Sequence, residues 1–352
     1  MTRTPNCCCS GFRYLPIIAA LLLVGLGWSF LQQKPTAVSM KQSAVAFLKT
    51  LDEKQTAIAV MPYDSEKRVD WHFIPKDERK GLQVKHMNEE QRKAAFTLLQ
   101  AALSESGYKK ARNVMELEKV LKALQAEGQG PIRDHERYYF TVFGDPSGDK
   151  PWGLSFEGHH LSMNYVVEKD EVRSVTPIFY AANPATVTKD VVPSVKEGTR
   201  LLAKEETLAF DLVNSLSKDE QKTAVIAEQA PKEIRGAGEA QPPQDKPAGI
   251  NVGTLNEKQQ LLATELVQTY ISNLPEDVAK VELANFATHG LGKVHFAWAG
   301  ALKPGVGHYY LLEGPSFQIE FVNTQPDSLG NPANHIHCVL RNPSGDFAIP
   351  VK

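Results

Sequence analysis

The strongest constraint on this chain is that it carries one pattern twice. The run from Met87 to Ser104 matches Leu255 to Ser272 without a gap, with identities at Asn88/Asn256, Glu89/Glu257, Gln91/Gln259, Ala95/Ala263, Leu98/Leu266, Gln100/Gln268 and Ser104/Ser272. Further on, YYFTVFG at Tyr138 and VHFAWAG at Val294 share an offset of 156, which also aligns Glu157-Gly158 with Glu313-Gly314. Upstream, SAVAFLKTLDEKQTAIAV is echoed by EETLAFDLVNSLSKDEQKTAVI, so the duplication reaches across most of the body. It divides the chain into a first repeat at 41–192 and a second at 198–352, with the junction near Pro193–Gly198. Composition alone puts a linker at Ala230–Gly253, rich in Pro, Gly and Ala. The repeat instead makes that stretch the counterpart of Met61–His86, a connection inside one copy.

Each copy reads as helices followed by strands. Val45, Leu48, Leu51 and Ile58 form one helical stripe, while Leu161, Met163, Tyr165 and Val167 alternate with the residues between them, as do Phe317, Ile319 and Phe321. A second apolar stretch follows each strand, SVTPIFYAA or HIHCVLR, which reads as a β-hairpin. The expected fold class is α+β, with two pseudo-symmetric repeats of helices plus antiparallel β-hairpins preceded by one N-terminal transmembrane helix. A shared sheet or packed sheets would bury the apolar faces of both copies.

That transmembrane expectation rests on 14–33, which holds no charged residue and contains IIAALLLVGLGW. Twenty helical residues span about 30 Å, the thickness of a hydrocarbon core. Arg3 and Arg13 precede the segment, so residues 1–13 read as a cytoplasmic tail and the bulk as periplasmic or cell-surface. A cleaved signal peptide, giving a secreted body, is the competing reading; an uncleaved anchor is favoured because no clean small-x-small site follows. Cys7, Cys8 and Cys9 lie before the apolar run, where they are either acylated or a reduced tail, and Cys338 alone in the body excludes a disulfide framework there. A net charge of −2, with no basic half, argues against nucleic acid as a partner.

The residues able to carry chemistry are few. His335 and His337 are two apart, so on a strand both imidazoles face one side. A hairpin loop over Thr324–Asn334 sets Glu320 opposite His337, which makes Glu320 a ligand or general base. In the first copy His159 and His160 are adjacent, so one of them reaches a site shared with the His335/His337 pair, His159 preferred and His160 the alternative. At the 156 offset His335 and His337 align with Phe179 and Ala181, so each copy supplies histidines that the other lacks. Imidazole with carboxylate suits zinc, copper or iron, so His159, His160, His335 and His337 are the candidate metal ligands. The plainer reading makes them hydrogen-bonding histidines at strand ends. Arg341 is a candidate catalytic residue that would hold a substrate carboxylate, or else the partner of Asp346 across a turn. His308 is a candidate further ligand. Trp152, Trp298, Tyr309 and Tyr310 would line a peptide or glycan groove or fill the core. No Walker loop, GxGxxG, HExxH, GxSxG or CxxC occurs.

Taken together, FEGHHLSMN (Phe156–Asn164), AANPA (Ala181–Ala185), FAWAG (Phe296–Gly300), YYxxxGPxFxIEF (Tyr309–Phe321), NTQ (Asn323–Gln325) and NHIHxVxR (Asn334–Arg341) resemble the bacterial domain-of-unknown-function family numbered 3500. The resemblance runs over essentially all of the body and implies one integrated family domain at 41–352, without implying a reaction. The chain departs from that family's pattern at Leu311, Val322, Leu340 and Ala348, and keeps His159, His160, Glu320, His335 and His337. The functional expectation is a membrane-anchored, extracytoplasmic protein that binds a transition metal between its repeats and catalyses a hydrolytic or oxidative reaction. The alternative is a noncatalytic envelope protein that binds peptide or glycan.

Overall fold

A computed structural model describes residues 34–126 and 130–352, and Thr36–Lys352 forms one compact unit. The first copy runs α1 (Thr36–Lys49), α2 (Glu53–Ala59), β1 (Val60–Met61), β2 (Leu82–Gln83), α3 (Glu89–Ala101), α4 (Glu105–Leu124), β3 (Tyr138–Phe143), β4 (Trp152–Gly158), β5 (Leu161–Glu168), β6 (Glu171–Ser174) and β7 (Ile178–Ala182). The second runs α5 (Ala203–Ser215), α6 (Lys218–Ala224), β8 (Val225–Ala227), β9 (Ile250–Asn251), α7 (Glu257–Ile271), α8 (Glu276–His289), β10 (His295–Gly300), β11 (His308–Gly314), β12 (Phe317–Gln325) and β13 (His335–Arg341).

All these strands join one sheet of 13, ordered β1-β3-β4-β5-β7-β13-β12-β11-β10-β8, with β2, β6 and β9 paired off that path. β1 pairs with β3, and β8 with β10, in parallel, so the sheet is mixed. This corrects the expected fold class. The copies do not make separate lobes of antiparallel hairpins, because β7 of one pairs directly with β13 of the other. No described helix is long and apolar enough to cross a membrane. The span expected at 14–33, the tail before it and Cys7, Cys8 and Cys9 lie outside the described residues.

The identities shared by the two copies have local causes. Asn88 and Asn256 cap α3 and α7, each accepting from the backbone N–H of Gln91 or Gln259, whose side chain returns to the cap. Gln91 and Gln259 are themselves buried, and donate to the carbonyls of Thr50 and Ser215. Ala95, Leu98, Ala263 and Leu266 are buried against the sheet. Ser104 Oγ donates to the carbonyl of Ser272, its own counterpart, at 2.7 Å, so the copies also meet through their helices.

One sheet face carries the helices and the larger core, including Met40, Phe47, Leu98, Leu212, Leu266, Ile336 and Cys338. The other face carries a smaller core under the loops between β1 and β2 and between β8 and β9, where Trp71, Phe73 and Ile234 meet Phe179, Val322 and Val339. The Pro/Gly-rich stretch is therefore a cover over the sheet. The duplicated Glu-Gly pair helps to hold these covers: Glu157 takes Arg79 and Lys80 from the first loop, and Glu313 takes Arg235 from the second.

Candidate metal centre

His335 and His337 stand on β13, a central strand flanked by β7 and β12, and both rings lie on the loop-covered face. His160 arrives from the turn between β4 and β5, which Gly158 and Leu161 close. A Cβ at Gly158 would lie 2.3 Å from the Tyr138 ring, and the Tyr138 hydroxyl donates to the carbonyl of His159 at 2.8 Å. His160 occupies the left-handed region at φ 67, unusual for a residue with a side chain. Its N–H donates to Phe73 and its carbonyl accepts from Ala181 N–H, both at 2.9 Å. His159 and His160 are thus turn residues, and strand alternation does not govern them. The residue brought to the pair is His160, where His159 was preferred from sequence.

The three imidazoles converge. His335 Nε2 lies 2.9 Å from His160 Nε2 and 2.9 Å from His337 Nε2. On the far side of its ring, His337 Nδ1 donates to the Glu233 carboxylate at 2.7 Å, which leaves Nε2 as a lone pair aimed at the cluster. Asn183 lies 3.3 Å from His335 Nδ1, and its Oδ1 is buried without a partner. Turning that amide over presents Oδ1 to an Nδ1–H of His335, the tautomer that frees Nε2 for the cluster. Phe73 closes the site, stacked on Phe179 at 3.8 Å and edge-on to His337 at 5.0 Å. Burial drives the His160 imidazole well below the ordinary histidine value and pushes His335 down to about 2, and neighbouring histidines add to both shifts. Both therefore stand as neutral bases, the form that binds metal.

His159 belongs to a second, adjoining group. Its ring stacks on His160 at 3.6 Å, and its Nδ1 meets the buried Glu118 carboxylate from α4. Arg133 Nη1 reaches the same ring at 2.9 Å. Among the described residues two sets could hold a cation, His160 with His335 and His337, and Glu118 with His159 and His160. The Arg133 guanidinium beside the second set opposes a cation there.

The remaining sequence candidates lie elsewhere. Val322, not Glu320, pairs with His337; Glu320 pairs with Val339. Its carboxylate is held by Arg235 N–H and Nε, each at 3.0 Å, and by the Tyr309 hydroxyl at 2.8 Å. Burial raises the Glu320 carboxyl above the ordinary range, opposed by Arg235. Arg341 is buried against Asp346 at 2.7 Å and donates to the carbonyls of Gly236 and Glu239. His308 turns to the helix face beside Glu206, and Trp152 and Trp298 are core residues. Sequence reasoning missed Glu118, Arg133, Glu233 and Asn183. A carboxylate in a Pro/Gly-rich stretch was the only signal for Glu233.

The register also revises the alignment of the copies. Ser162 pairs with Phe179 in the first, and Gln318 pairs with Arg341 in the second. Phe179 is therefore the counterpart of Arg341 rather than of His335, and the 156 offset fails in the last strand. By the same ladder His337, opposite Val322, corresponds to Ser174, opposite Val166, and His335 falls beyond the pairs that the first copy makes, so the second copy's histidines still have no histidine counterpart.

Buried His and Glu groups that could hold a metal ion thus sit where the two copies join. No curated protein and no solved structure matches the chain. A family model described as a protein of unknown function, DUF3500, matches residues 33–349, and the chain belongs to that uncharacterised domain family.

Proposed function

We propose that the protein binds one transition metal ion through Nε2 of His160, His335 and His337, with zinc the ion best suited, and uses it in hydrolytic chemistry, an oxidative reaction requiring copper or iron in its place. The observation that carries this reading is the convergence of three Nε2 atoms, with both contacts of His335 at 2.9 Å. A tetrahedral ion with nitrogen bonds near 2.0–2.1 Å requires about 3.3 Å between ligands, so a few tenths of an ångström of opening accommodates it. Three imidazoles with a further coordination position are a donor set of catalytic zinc, which supplies Lewis acidity. Glu233 fits the supporting role, since a carboxylate on the distal nitrogen orients a metal-bound imidazole.

Metal content of the purified full chain tests this directly. One equivalent of zinc, copper or iron per chain is expected, lost in His335→Ala and His337→Ala while the fold persists by circular dichroism. Wild-type protein that takes up no metal after EDTA treatment and dialysis against each ion would overturn the reading.

A further inference from the structure

Beside the histidines, a small cleft opens to solvent, walled by residues that include Lys76, Arg79, Arg137, Glu118 and His159. Its charges do not balance. Arg79 and Lys80, with side chains 2% and 3% exposed, share the carboxylate of Glu157, and Asp70 is the further carboxylate near Lys80 and Lys76. Arg137 donates to the carbonyls of Lys76 and Asp77, and among the described residues neither Arg137 nor Lys76 forms an ion pair. The two carboxylates of the wall are already engaged, Glu118 by His159 and Arg133, and Asp134 by Lys85 at 2.7 Å. Of the three wall cations only the Arg79 side chain is buried, while Lys76 is exposed and Arg137 half-buried, so an anion entering from solvent can reach them.

We propose that this cleft binds a small oxyanion, a carboxylate or phosphate group, with Lys76, Arg79 and Arg137 supplying the charge that holds it. The cleft is open to solvent, so a small group can enter it. His159 also lines the cleft, so a bound group would lie near the ring stacked on His160. This inference goes beyond the metal reading and stands on different residues.

The test is thermal unfolding and calorimetric titration of the full chain in EDTA, with inorganic phosphate and with succinate as separate probes and sodium chloride matching ionic strength. Working without metal separates this result from the fate of the metal reading. One probe or both should bind and stabilise beyond chloride, and which does so distinguishes phosphate from carboxylate. Lys76→Glu, a change at an exposed side chain, should weaken that binding roughly tenfold or more. Lys303→Glu, in the exposed β10–β11 turn, should leave it unchanged. No response beyond chloride, or an equal loss in both variants, overturns the proposal.

Discussion

At the scale of single residues, the centre depends on groups that hold the imidazoles as much as on the imidazoles themselves. Glu233 fixes the proton of His337 on Nδ1, and the side chain is partly open to solvent, so its loss is tolerated by the fold. Glu233→Gln should therefore weaken metal binding by about tenfold while unfolding stability stays close to wild type. Competition against a chromophoric chelator measures this, and unchanged affinity would remove Glu233 from the site. Arg341 illustrates the opposite case. Its ion pair with Asp346 is 0% exposed on both sides, and breaking such a pair leaves an uncompensated buried charge. Asp346→Ala should cost about 3–5 kcal/mol in urea unfolding, with metal stoichiometry retained in the folded fraction. A loss under about 1 kcal/mol would contradict this account of Arg341. The spacing of His335 and His337 was legible because strand alternation is local. Glu118, Glu233 and Arg133 were not, because each reaches the site by tertiary folding from a helix or loop with no local periodicity pointing there.

Among the elements, the repeat was legible wherever its identities serve local geometry. Asn88 and Gln91 make a capping box, and Gln91 also reaches Gln55 and the carbonyl of Thr50, so one side chain ties α3 to the segment around α2. Asn88→Ala should cost about 1 kcal/mol, a typical cap. Gln91→Ala should cost more, about 1–3 kcal/mol, since it strands the partly buried Thr50 carbonyl as well as the cap. Chemical denaturation of the two variants checks the order, and a larger loss at Asn88 would show that burial is not what preserved Gln91. The same repeat misled at its end. The first copy breaks its last strand into β6 and β7, whereas the second runs β13 unbroken, and the ladder shifts the alignment by six residues (Arg341 less Phe179 is 162, against 156). Cross-strand register depends on partners far along the chain. The joining of β7 to β13 was therefore beyond any reading of one strand at a time, and so was the single mixed sheet.

For the whole molecule, placing neutral imidazoles inside the sheet's covered face makes stability depend on pH in a window set by histidine. His160 and His335 have folded values depressed below the ordinary 6.5, His335 to about 2, because burial disfavours their charged forms. Unfolded chains protonate these residues as pH falls through 6.5, while the metal-free fold keeps them neutral. The unfolded state then binds more protons, so stability is fully present above about pH 6.5 and is lost as pH falls. Each such histidine contributes a slope of about 1.4 kcal/mol per pH unit across that range. Carboxylates held low, such as Glu206 and Asp327, act below the ordinary carboxylate values, whereas Glu320 and Asp346, raised by burial, gain protons first in the fold as pH falls and oppose the histidine slope toward the lower end of the window. Urea unfolding in EDTA at several pH values in that window should show the decline, and His160→Asn with His335→Asn should flatten it. Because the centre joins the two copies, the loss should appear as one cooperative transition of the sheet by fluorescence and circular dichroism alike. A wild-type profile as flat as the double variant's would mean that these imidazoles accept protons freely in the folded protein and are not held as neutral ligands.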